Sequence, residues 1–403
     1  MSTEPPKLSS VNLLGIWFGA AVSIAEILTG SFLAPLGLAK GIATILVGHL
    51  IGALILFLAG VIGAQKNLTS MESTRLSFGI YGSYGFSLLN IIQLLGWTAI
   101  MIASGAAVFD EAATQLFAYS NPTLWSIGIG LFICFWIAVG LKNLAKINAV
   151  VVSLLFIFCV VLGFVIFRDA AAMGPLAEGS MSFGGGVELS VAMSLSWLPL
   201  IADYTRSARR PIRGTAFGVI GYAVGSSFMF IIGLGAALYS GTSDIGQILM
   251  AAGLGIPALF VVFFSTTTTT FLDVLSAGIS CTNLFPRAGE KSVALLVCIA
   301  GVALALLAPL AQFENFLYFI GSVFAPLYAV LFTDYFILRR ADSLTRNLNL
   351  KNGLLWLIGF VLYRLLLPYN TPVGTTTVVI ILTGIICVLF YKAEQKWLSA
   401  KTK

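Results

Sequence analysis

The sequence predicts an all-α integral membrane protein with twelve transmembrane helices. Of its 403 residues, 59% are hydrophobic and only 9% are charged, whereas a typical soluble protein carries about 25% charged residues. The mean hydropathy is +1.00. The apolar residues come in runs of about 20, the length that a helix needs to cross the hydrocarbon core of a bilayer. This composition excludes a water-soluble fold, a disordered chain and a disulfide-stapled secreted module.

Twelve apolar runs are long enough to be transmembrane spans, numbered here in chain order. They lie at 13–38, 41–63, 82–108, 122–141, 147–167, 187–206, 214–239, 255–283, 291–311, 314–338, 352–370 and 374–391. No small-residue cleavage site follows the first run, so it is interpreted as a permanent helix and not as a signal peptide.

The basic residues orient these spans. With twelve spans, 19 of the 22 Lys and Arg residues fall on the side that holds both termini, and the exceptions are Lys40, Arg168 and Arg364. Cytoplasmic loops are enriched in Lys and Arg, so both termini are predicted to be cytoplasmic. The net charge of +6 therefore marks topology, and it does not indicate a nucleic-acid-binding surface.

The longest loop on the opposite side, at about 168–186, separates five spans from the rest. An odd number of spans per half gives the halves opposite topologies, which predicts an inverted repeat. The predicted organisation ends in two additional helices and a cytoplasmic tail. Its four parts are residues 1–170 (spans 1–5), 187–338 (spans 6–10), 352–391 (spans 11 and 12) and 392–403 (the tail).

Spans 1 and 6 are predicted to be broken helices. Span 1 carries Glu26 at mid-depth, followed by Thr29-Gly30-Ser31 and Pro35, a combination that disfavours a continuous helix. In span 6, Ser194, Ser196 and Trp197 precede Pro199. A break exposes backbone groups that can bind an ion or a polar substrate at the bilayer midplane. The alternative for span 1 is a kinked helix in which Glu26 is hydrogen-bonded to a neighbour.

Spans 3 and 8 carry further polar or aromatic residues at membrane depth, where such residues mark functional sites. Span 8 contains Ser265, five consecutive threonines at 266–270, and Asp273. Neighbouring hydroxyls and carbonyls suit an alkali cation, and the alternative is a polar stripe used for helix packing. In span 3, Gln93 lies one turn from Trp97, which can stack on a planar ligand.

The remaining candidates are interpreted as packing residues. His49, on a small-residue face of span 2, is expected to be a packed and hydrogen-bonded histidine and not a proton carrier. The five cysteines show neither CxxC nor Cys/His spacing, so they are interpreted as small hydrophobic residues.

Together these features resemble the nucleobase–cation symporters, the permeases for cytosine, related pyrimidines, purines and hydantoins. The resemblance covers nearly the whole chain, and its most specific parts are Ala202-Asp203-Tyr204-Thr205-Arg206 and Arg75-Leu-Ser-Phe-Gly79. Within the family the chain is most similar to the hydroxymethylpyrimidine/cytosine permease branch. The resemblance implies two inverted five-helix repeats followed by two extra helices, with broken helices 1 and 6.

The family pattern also implies a binding site. A flat heterocycle would stack on Trp97, with a second wall from span 6 at Trp197 or at the Ser194 position. The implied Na⁺ ligands are the carbonyls of the span 1 break and oxygens of span 8, namely Val22, Ala25, Ser265, Thr268 and Thr269. Other members place amides where this chain has Glu26 and either Thr270 or Asp273. The full predicted substrate-binding set is Glu26, Gln93, Trp97, Ser194, Ser196, Trp197, Thr270 and Asp273.

The resulting hypothesis is a secondary transporter that imports an aminopyrimidine such as hydroxymethylpyrimidine or cytosine by Na⁺ symport. Glu26 is expected to accept hydrogen bonds from the aminopyrimidine edge. The rival is an H⁺-coupled permease for another nucleobase, purine or hydantoin, with Glu26 or Asp273 as the proton carrier. A membrane enzyme or a channel is disfavoured, because the sequence has neither a metal-ligand motif nor a filter loop. The expected location is the bacterial cytoplasmic (inner) membrane, and the oligomeric state is left open.

Overall fold

The computed structural model describes residues 7–139, 141–168, 180–242, 255–307, 313–340, 344–369 and 371–401. Its elements are helices, and the predicted all-α membrane fold is confirmed. The α-helices are α1 (Ser10–Ala21), α2 (Ile24–Ser31), α3 (Gly37–Lys66), α4 (Ser70–Ser73), α5 (Arg75–Phe117), α6 (Pro122–Val139), α7 (Leu141–Ile166), α8 (Phe183–Leu195), α9 (Leu198–Thr205), α10 (Pro211–Ser240), α11 (Gly255–Leu284), α12 (Glu290–Leu307), α13 (Phe313–Phe332), α14 (Leu350–Leu366) and α15 (Thr375–Lys401).

Within the described residues, nine helical segments are long and apolar enough to cross a membrane. The bent pair α1 and α2 makes a tenth. Twelve spans would require α7 and α11 in addition, so the predicted number of twelve remains a prediction, as do the inverted repeat and its boundaries.

The predicted break of span 1 is confirmed. Helices α1 and α2 meet at an angle of 53°, because Val22 (φ −80°, ψ 77°) and Ser23 (φ −137°, ψ 158°) leave helical geometry. The break of span 6 is also present but milder. Ser196 and Trp197 interrupt the helix while keeping φ and ψ close to the right-handed helical region.

Helix α2 packs against α10 with the two backbones in close contact. A Cβ atom on Gly30 would lie 2.2 Å from the carbonyl oxygen of Phe230, and one on Gly233 would lie 2.0 Å from that of Ile27. Small residues allow membrane helices to approach in this way. The second half of the broken span 1 is therefore fixed in position by α10.

Several predicted span boundaries were wrong, because hydropathy detects the apolar stretch that fits the bilayer and not the full length of the helix. The connector between spans 1 and 2 lies before Gly37 and not at 39–40. The Gly184–Gly186 run, assigned to a loop, lies in the first turn of α8. The predicted tail is helical as far as Lys401, as a continuation of α15. Part of the predicted 168–186 loop lies outside the described residues, and so does part of the connection between spans 9 and 10.

Helix α5 extends well beyond predicted span 3 and bends at Gly79, which has φ +79°. The bend frees backbone N–H groups, and Ile80 and Tyr81 donate them to the carbonyls of Arg346 and Asn347, each at 2.9 Å. Only glycine adopts this backbone conformation readily. The segment that begins with Arg75 thus ties span 3 to the loop before α14.

The N-terminal segment contacts the loop after α9, and the sequence predicts both to lie on the same side of the membrane. The backbone N–H of Leu8 donates to the carbonyl of Ser207 at 2.7 Å, and that of Arg209 donates to the carbonyl of Leu8 at 2.9 Å. The N-terminal segment therefore lies beside the basic loop after α9. This contact agrees with the predicted arrangement, while the cytoplasmic orientation stays a prediction.

We predict that Gly233→Ala lowers the thermal midpoint of the purified protein in detergent. Overpacking costs about 1–3 kcal/mol, and here the added methyl group meets backbone that has no freedom to move aside. The control is Gly128→Ala on α6, where nothing lies within 4 Å of the added Cβ and the gain in helix propensity is about 1 kcal/mol. Equal midpoints for the two variants would contradict the close α2–α10 contact.

Candidate functional site

A pocket lies where the two broken spans meet α5 and α11. The volume open to a water-sized molecule between its side chains is only about 10 Å³, so the pocket is nearly closed in this conformation, and its walls are buried and come from all four spans. They are Ser23, Ala25, Trp97, Met101, Met193, Ser196, Trp197, Thr269 and Asp273. Backbone breaks at membrane depth are tolerated only where they are buried in protein or line a cavity. Both breaks therefore lie beside a buried cavity, as the sequence predicted.

Two tryptophans form apolar walls of the pocket. Trp97 packs edge-on against Phe313 and Phe316, with ring centroids 5.6 and 5.7 Å apart. Its buried indole Nε1 has no hydrogen-bond partner among the residues that the structure describes. Trp197 packs edge-on against Trp17, with centroids 5.5 Å apart. Both rings are held by neighbouring aromatic residues, as a site that stacks a flat ligand requires.

Asp273 is the carboxylate that faces this pocket. Its side chain is only 4% exposed, it makes no hydrogen bond within the described part of the chain, and no Lys or Arg is among the lining residues. A buried charge without a partner is costly. The pocket therefore favours a ligand that brings hydrogen-bond donors or positive charge.

Glu26 lies on a different side of α2 from the pocket. Its Oε2 accepts a hydrogen bond from Ser226 at 2.7 Å, and its Oε1 accepts one from Tyr222 at 3.2 Å. Ser226 Oγ also lies 2.6 Å from Nε2 of His49, whose Nδ1 lies 2.9 Å from the carbonyl oxygen of Ile45. The expectation of a packed, bonded histidine is confirmed. The structure favours Asp273 over Glu26 as the carboxylate that meets a ligand.

Gln93 belongs to a pair of buried amides beneath the pocket. Its Nε2 donates to the backbone carbonyl of Ser196 at 3.0 Å and to Oδ1 of Asn90 at 3.0 Å. Asn90 donates to the carbonyl of Pro199 at 3.3 Å and to Ser280 Oγ at 2.8 Å. The two amides connect α5 to the break of span 6. Gln93 itself is not a lining residue.

Two other predicted substrate contacts are also absent from the pocket wall. Ser194 faces α3, where a Cβ atom on Gly52 would lie 2.5 Å from its hydroxyl oxygen. Thr270 is fully buried, and its hydroxyl finds no hydrogen-bond partner in the described ranges. The one-residue difference between Thr269, which lines the pocket, and Thr270 turns the side chain to another face of α11.

Two of the predicted cation ligands, Val22 and Ser265, are in contact at the break of span 1. Ser265 Oγ on α11 donates to the carbonyl of Val22 at 3.3 Å, which joins the two elements of the expected cage. Ala25 and Thr269 both line the pocket, and within the described part of the chain the buried Thr269 hydroxyl has no hydrogen-bond partner. Thr268 donates to the carbonyl of Ser265 at 3.1 Å. The described residues hold no group of three or more His, Cys, Asp or Glu side chains that would suit a transition metal.

The structure adds three lining residues that the sequence did not predict: Ser23, Met101 and Met193. Ser23 lies inside the span 1 break, and Met101 follows Trp97 by four residues on the same face of α5. Helical spacing from Trp97 was the available signal for Met101. Met193 has no such signal, because an apolar residue in an apolar run is not distinctive.

The fold and this pocket define a membrane transport protein whose site lies between two broken spans. Residues 6–358 match the family model described as a permease for cytosine/purines, uracil, thiamine and allantoin. The chain belongs to this family, the nucleobase–cation symporters, as its sequence motifs suggested. The prediction of a multi-pass permease and not an enzyme is thereby confirmed.

Individual relatives agree with this assignment. The cytosine permease of Escherichia coli K12 is 26% identical over 73% of this chain and 70% of its own. The hydantoin permease of Microbacterium maritypicum is 21% identical over 85% of this chain and 76% of its own. Among solved structures, Mhp1, a nucleobase-cation-symport-1 family transporter in a closed conformation with bromovinylhydantoin bound, has a TM-score of 0.80. It is 18% identical, over 98% of this chain and 94% of its own.

We predict that substitutions at two buried aspartates differ in their effect on thermal stability. Asp203→Ala removes the acceptor for the backbone N–H of Ser70, which lies 2.9 Å away. It should lower the thermal midpoint, by the equivalent of about 1.5–3 kcal/mol. Asp273→Asn replaces an acid that has no hydrogen-bond partner among the described residues with an amide of the same shape, and it should leave the midpoint unchanged or raise it, as at many functional sites. Loss of stability in Asp273→Asn would show that Asp273 has a structural partner.

Proposed function

We propose that the protein is a Na⁺ symporter that imports an aminopyrimidine, hydroxymethylpyrimidine or a cytosine-like base, by alternating access. The observation that carries the proposal is the unpartnered Asp273 carboxylate in a pocket walled by Trp97 and Trp197. The substrate class, the ion and the residue roles below are parts of this proposal.

The chemistry of Asp273 favours an aminopyrimidine over a base that presents mainly acceptors. A carboxylate only accepts hydrogen bonds, and a 4-aminopyrimidine offers an exocyclic amino group and, on protonation, a ring N–H beside it. Two parallel bonds to one carboxylate would form a bidentate pair. The tryptophans would hold the ring faces, and Ser196 offers a hydroxyl at the pocket edge. In this proposal Asp273 takes the role that the sequence assigned to Glu26.

The relatives support a planar heterocycle as the substrate. Their names specify cytosine, purine–cytosine and hydantoin permeases, and Mhp1 was solved with a hydantoin derivative. These ligands share a flat ring with polar edges. A pocket with two tryptophan walls and one carboxylate suits this class and adds a preference for amino groups.

The contacts at the break of span 1 support Na⁺ as the coupling ion. Oxygens of Val22, Ala25, Ser265, Thr268 and Thr269 would form a hard cage that suits an alkali cation. The positive charge would lie one helical turn from Asp273, where it would offset the buried carboxylate. Each ligand would then favour the same ordered state of the break and raise the affinity of the other, which is the thermodynamic basis of coupling.

Proton coupling through Glu26 is the second candidate, and one observation favours it. His49 Nδ1 must donate to the carbonyl of Ile45, and Ser226 Oγ has a single hydrogen for two short contacts, to His49 Nε2 and to Glu26. The missing hydrogen must come from a protonated Glu26 or a doubly protonated His49. The two groups thus hold one more proton than a carboxylate with a neutral imidazole.

Competition binding with Asp273→Asn tests the substrate class. Hydroxymethylpyrimidine, cytosine, uracil, hydantoin and hypoxanthine are compared on wild type and variant. Wild type should prefer the two aminopyrimidines. The affinity of the variant for these two compounds should be lower by on the order of tenfold or more, because an amide presents a donor where the carboxylate accepted. Glu26→Gln is the matched acid-to-amide control and should keep the preference. Retained preference in Asp273→Asn, with loss in Glu26→Gln, would restore the role first assigned to Glu26.

Uptake into proteoliposomes tests the coupling ion. Thr269→Val should raise the Na⁺ concentration for half-maximal uptake by about tenfold, because a free hydroxyl in the cage is lost. Thr267→Val is the matched control: its hydroxyl donates to the carbonyl of Phe263 within its own helix, at 2.8 Å, and its Na⁺ dependence should match wild type. Uptake driven by a proton gradient but not by Na⁺ would support the second candidate. Uptake indifferent to both gradients would contradict symport.

A further inference from the structure

The break of span 6 leaves backbone carbonyls without helical partners. The N–H of Leu200 would donate to the carbonyl of Ser196 in a regular helix, but it donates to the carbonyl of Trp197 instead, at 3.0 Å. Pro199 has no N–H at all, so a further helical bond is missing. Carbonyl groups at membrane depth must find other donors. The donors therefore have to come from the neighbouring helices.

Side chains of α5 and α13 donate to carbonyls at the break and in the first turn of α9. Gln93 donates to the carbonyl of Ser196, and Asn90 donates to that of Pro199. The hydroxyl of Tyr328 on α13 donates to the carbonyl of Leu198 at 2.7 Å. All three side chains are at most 1% exposed. Because water does not reach them, loss of the Gln93 bond would leave the buried carbonyl of Ser196 unsatisfied.

The two amides also lie where they can set the width of the pocket. Gln93 is one turn before Trp97 on the same face of α5. The carbonyl that it binds belongs to Ser196, the neighbour of Trp197. Asn90 supports Gln93 through its Oδ1 and is anchored to Ser280 on α11. One short chain of hydrogen bonds thus connects the helix of one tryptophan wall to the backbone of the other and to the helix of Asp273.

We propose that Asn90 and Gln93 are positioning residues that fix the distance between Trp97 and Trp197 by binding the carbonyls of Ser196 and Pro199, at the span 6 break, to α5. They act through the backbone of the break and not by contact with the ligand. A fixed distance between the two stacking faces fits a flat ring and disfavours a puckered, thicker one, so the pair sets the preference for planar heterocycles. This specificity role rests on the proposed function, whereas the positioning of the break does not.

Hydrogen exchange in the ligand-free protein tests the positioning. Gln93→Met has nearly the same length but no donor, and Asn90→Ser is a second variant that removes the support of Gln93. In both, amides across 193–201 should exchange about tenfold faster than in wild type. Asn352→Leu is the control: it removes a buried amide that donates to the carbonyl of Ser77 at 2.8 Å, and it should leave exchange at 193–201 unchanged. Unchanged exchange in both test variants would overturn the proposal.

Ligand selectivity tests the consequence for binding. In Gln93→Met and Asn90→Ser the ratio of cytosine affinity to 5,6-dihydrocytosine affinity should fall about tenfold, because a looser wall weakens the fit of the flat ring and admits the puckered, partly saturated one. Asn352→Leu should lose thermal stability but keep the ratio. A ratio that stays at the wild-type value in both test variants would overturn the specificity role. If wild type binds none of the heterocycles, the proposed function fails, and the exchange measurement alone decides the positioning role.

Discussion

The interruption of two membrane helices is the constraint on which the site depends. In the hydrocarbon core, a backbone group that leaves its helix must be bonded by protein or line a cavity. At the break of span 1, Val22 accepts a bond from Ser265 of α11. At the break of span 6, the carbonyls of Ser196 and Leu198 accept bonds from Gln93 and Tyr328. Polar side chains of the neighbouring spans lie where they can bond these backbone groups, and the pocket lies in the space between the breaks.

The same constraint separates structural carboxylates from the one that faces the pocket. Glu188 accepts hydrogen bonds from Tyr363 and from the N–H and hydroxyl of Thr376, the latter two at 2.8 and 2.7 Å. Asp334 accepts a bond from Asn352 at 2.6 Å. Such bonds offset the cost of burying an acid. Asp273 lacks them, and an uncompensated buried charge is tolerated where a ligand or an ion completes it.

The sequence predicted much of the fold because its strongest signals are physical requirements of the bilayer. Runs of apolar residues identified the spans, and the polar residues around Glu26 and Pro199 identified both breaks. Helix ends were less accurate: hydropathy does not register a helix that continues into water, as α15 does to Lys401. Trp97 and Asp273, expected to contact a substrate, line the pocket, and their roles stay predictions. Met193 also lines it but was not expected, because nothing in an apolar run distinguishes a lining residue from a packing one.

The direction in which each polar side chain points could not be read from the sequence. Glu26 and Asp273 are both acids at membrane depth, yet one is bonded by Tyr222 and Ser226 while the other faces the pocket. Gln93 sits one turn from Trp97 and was assigned to the ligand, but its amide binds the backbone of span 6 instead. The sequence by itself determined that these groups are buried in the membrane, because hydropathy and helix-breaking residues act locally. Which group bonds the protein and which remains for a ligand was decided by the tertiary structure, because hydrogen-bond partners come from helices far apart in the chain.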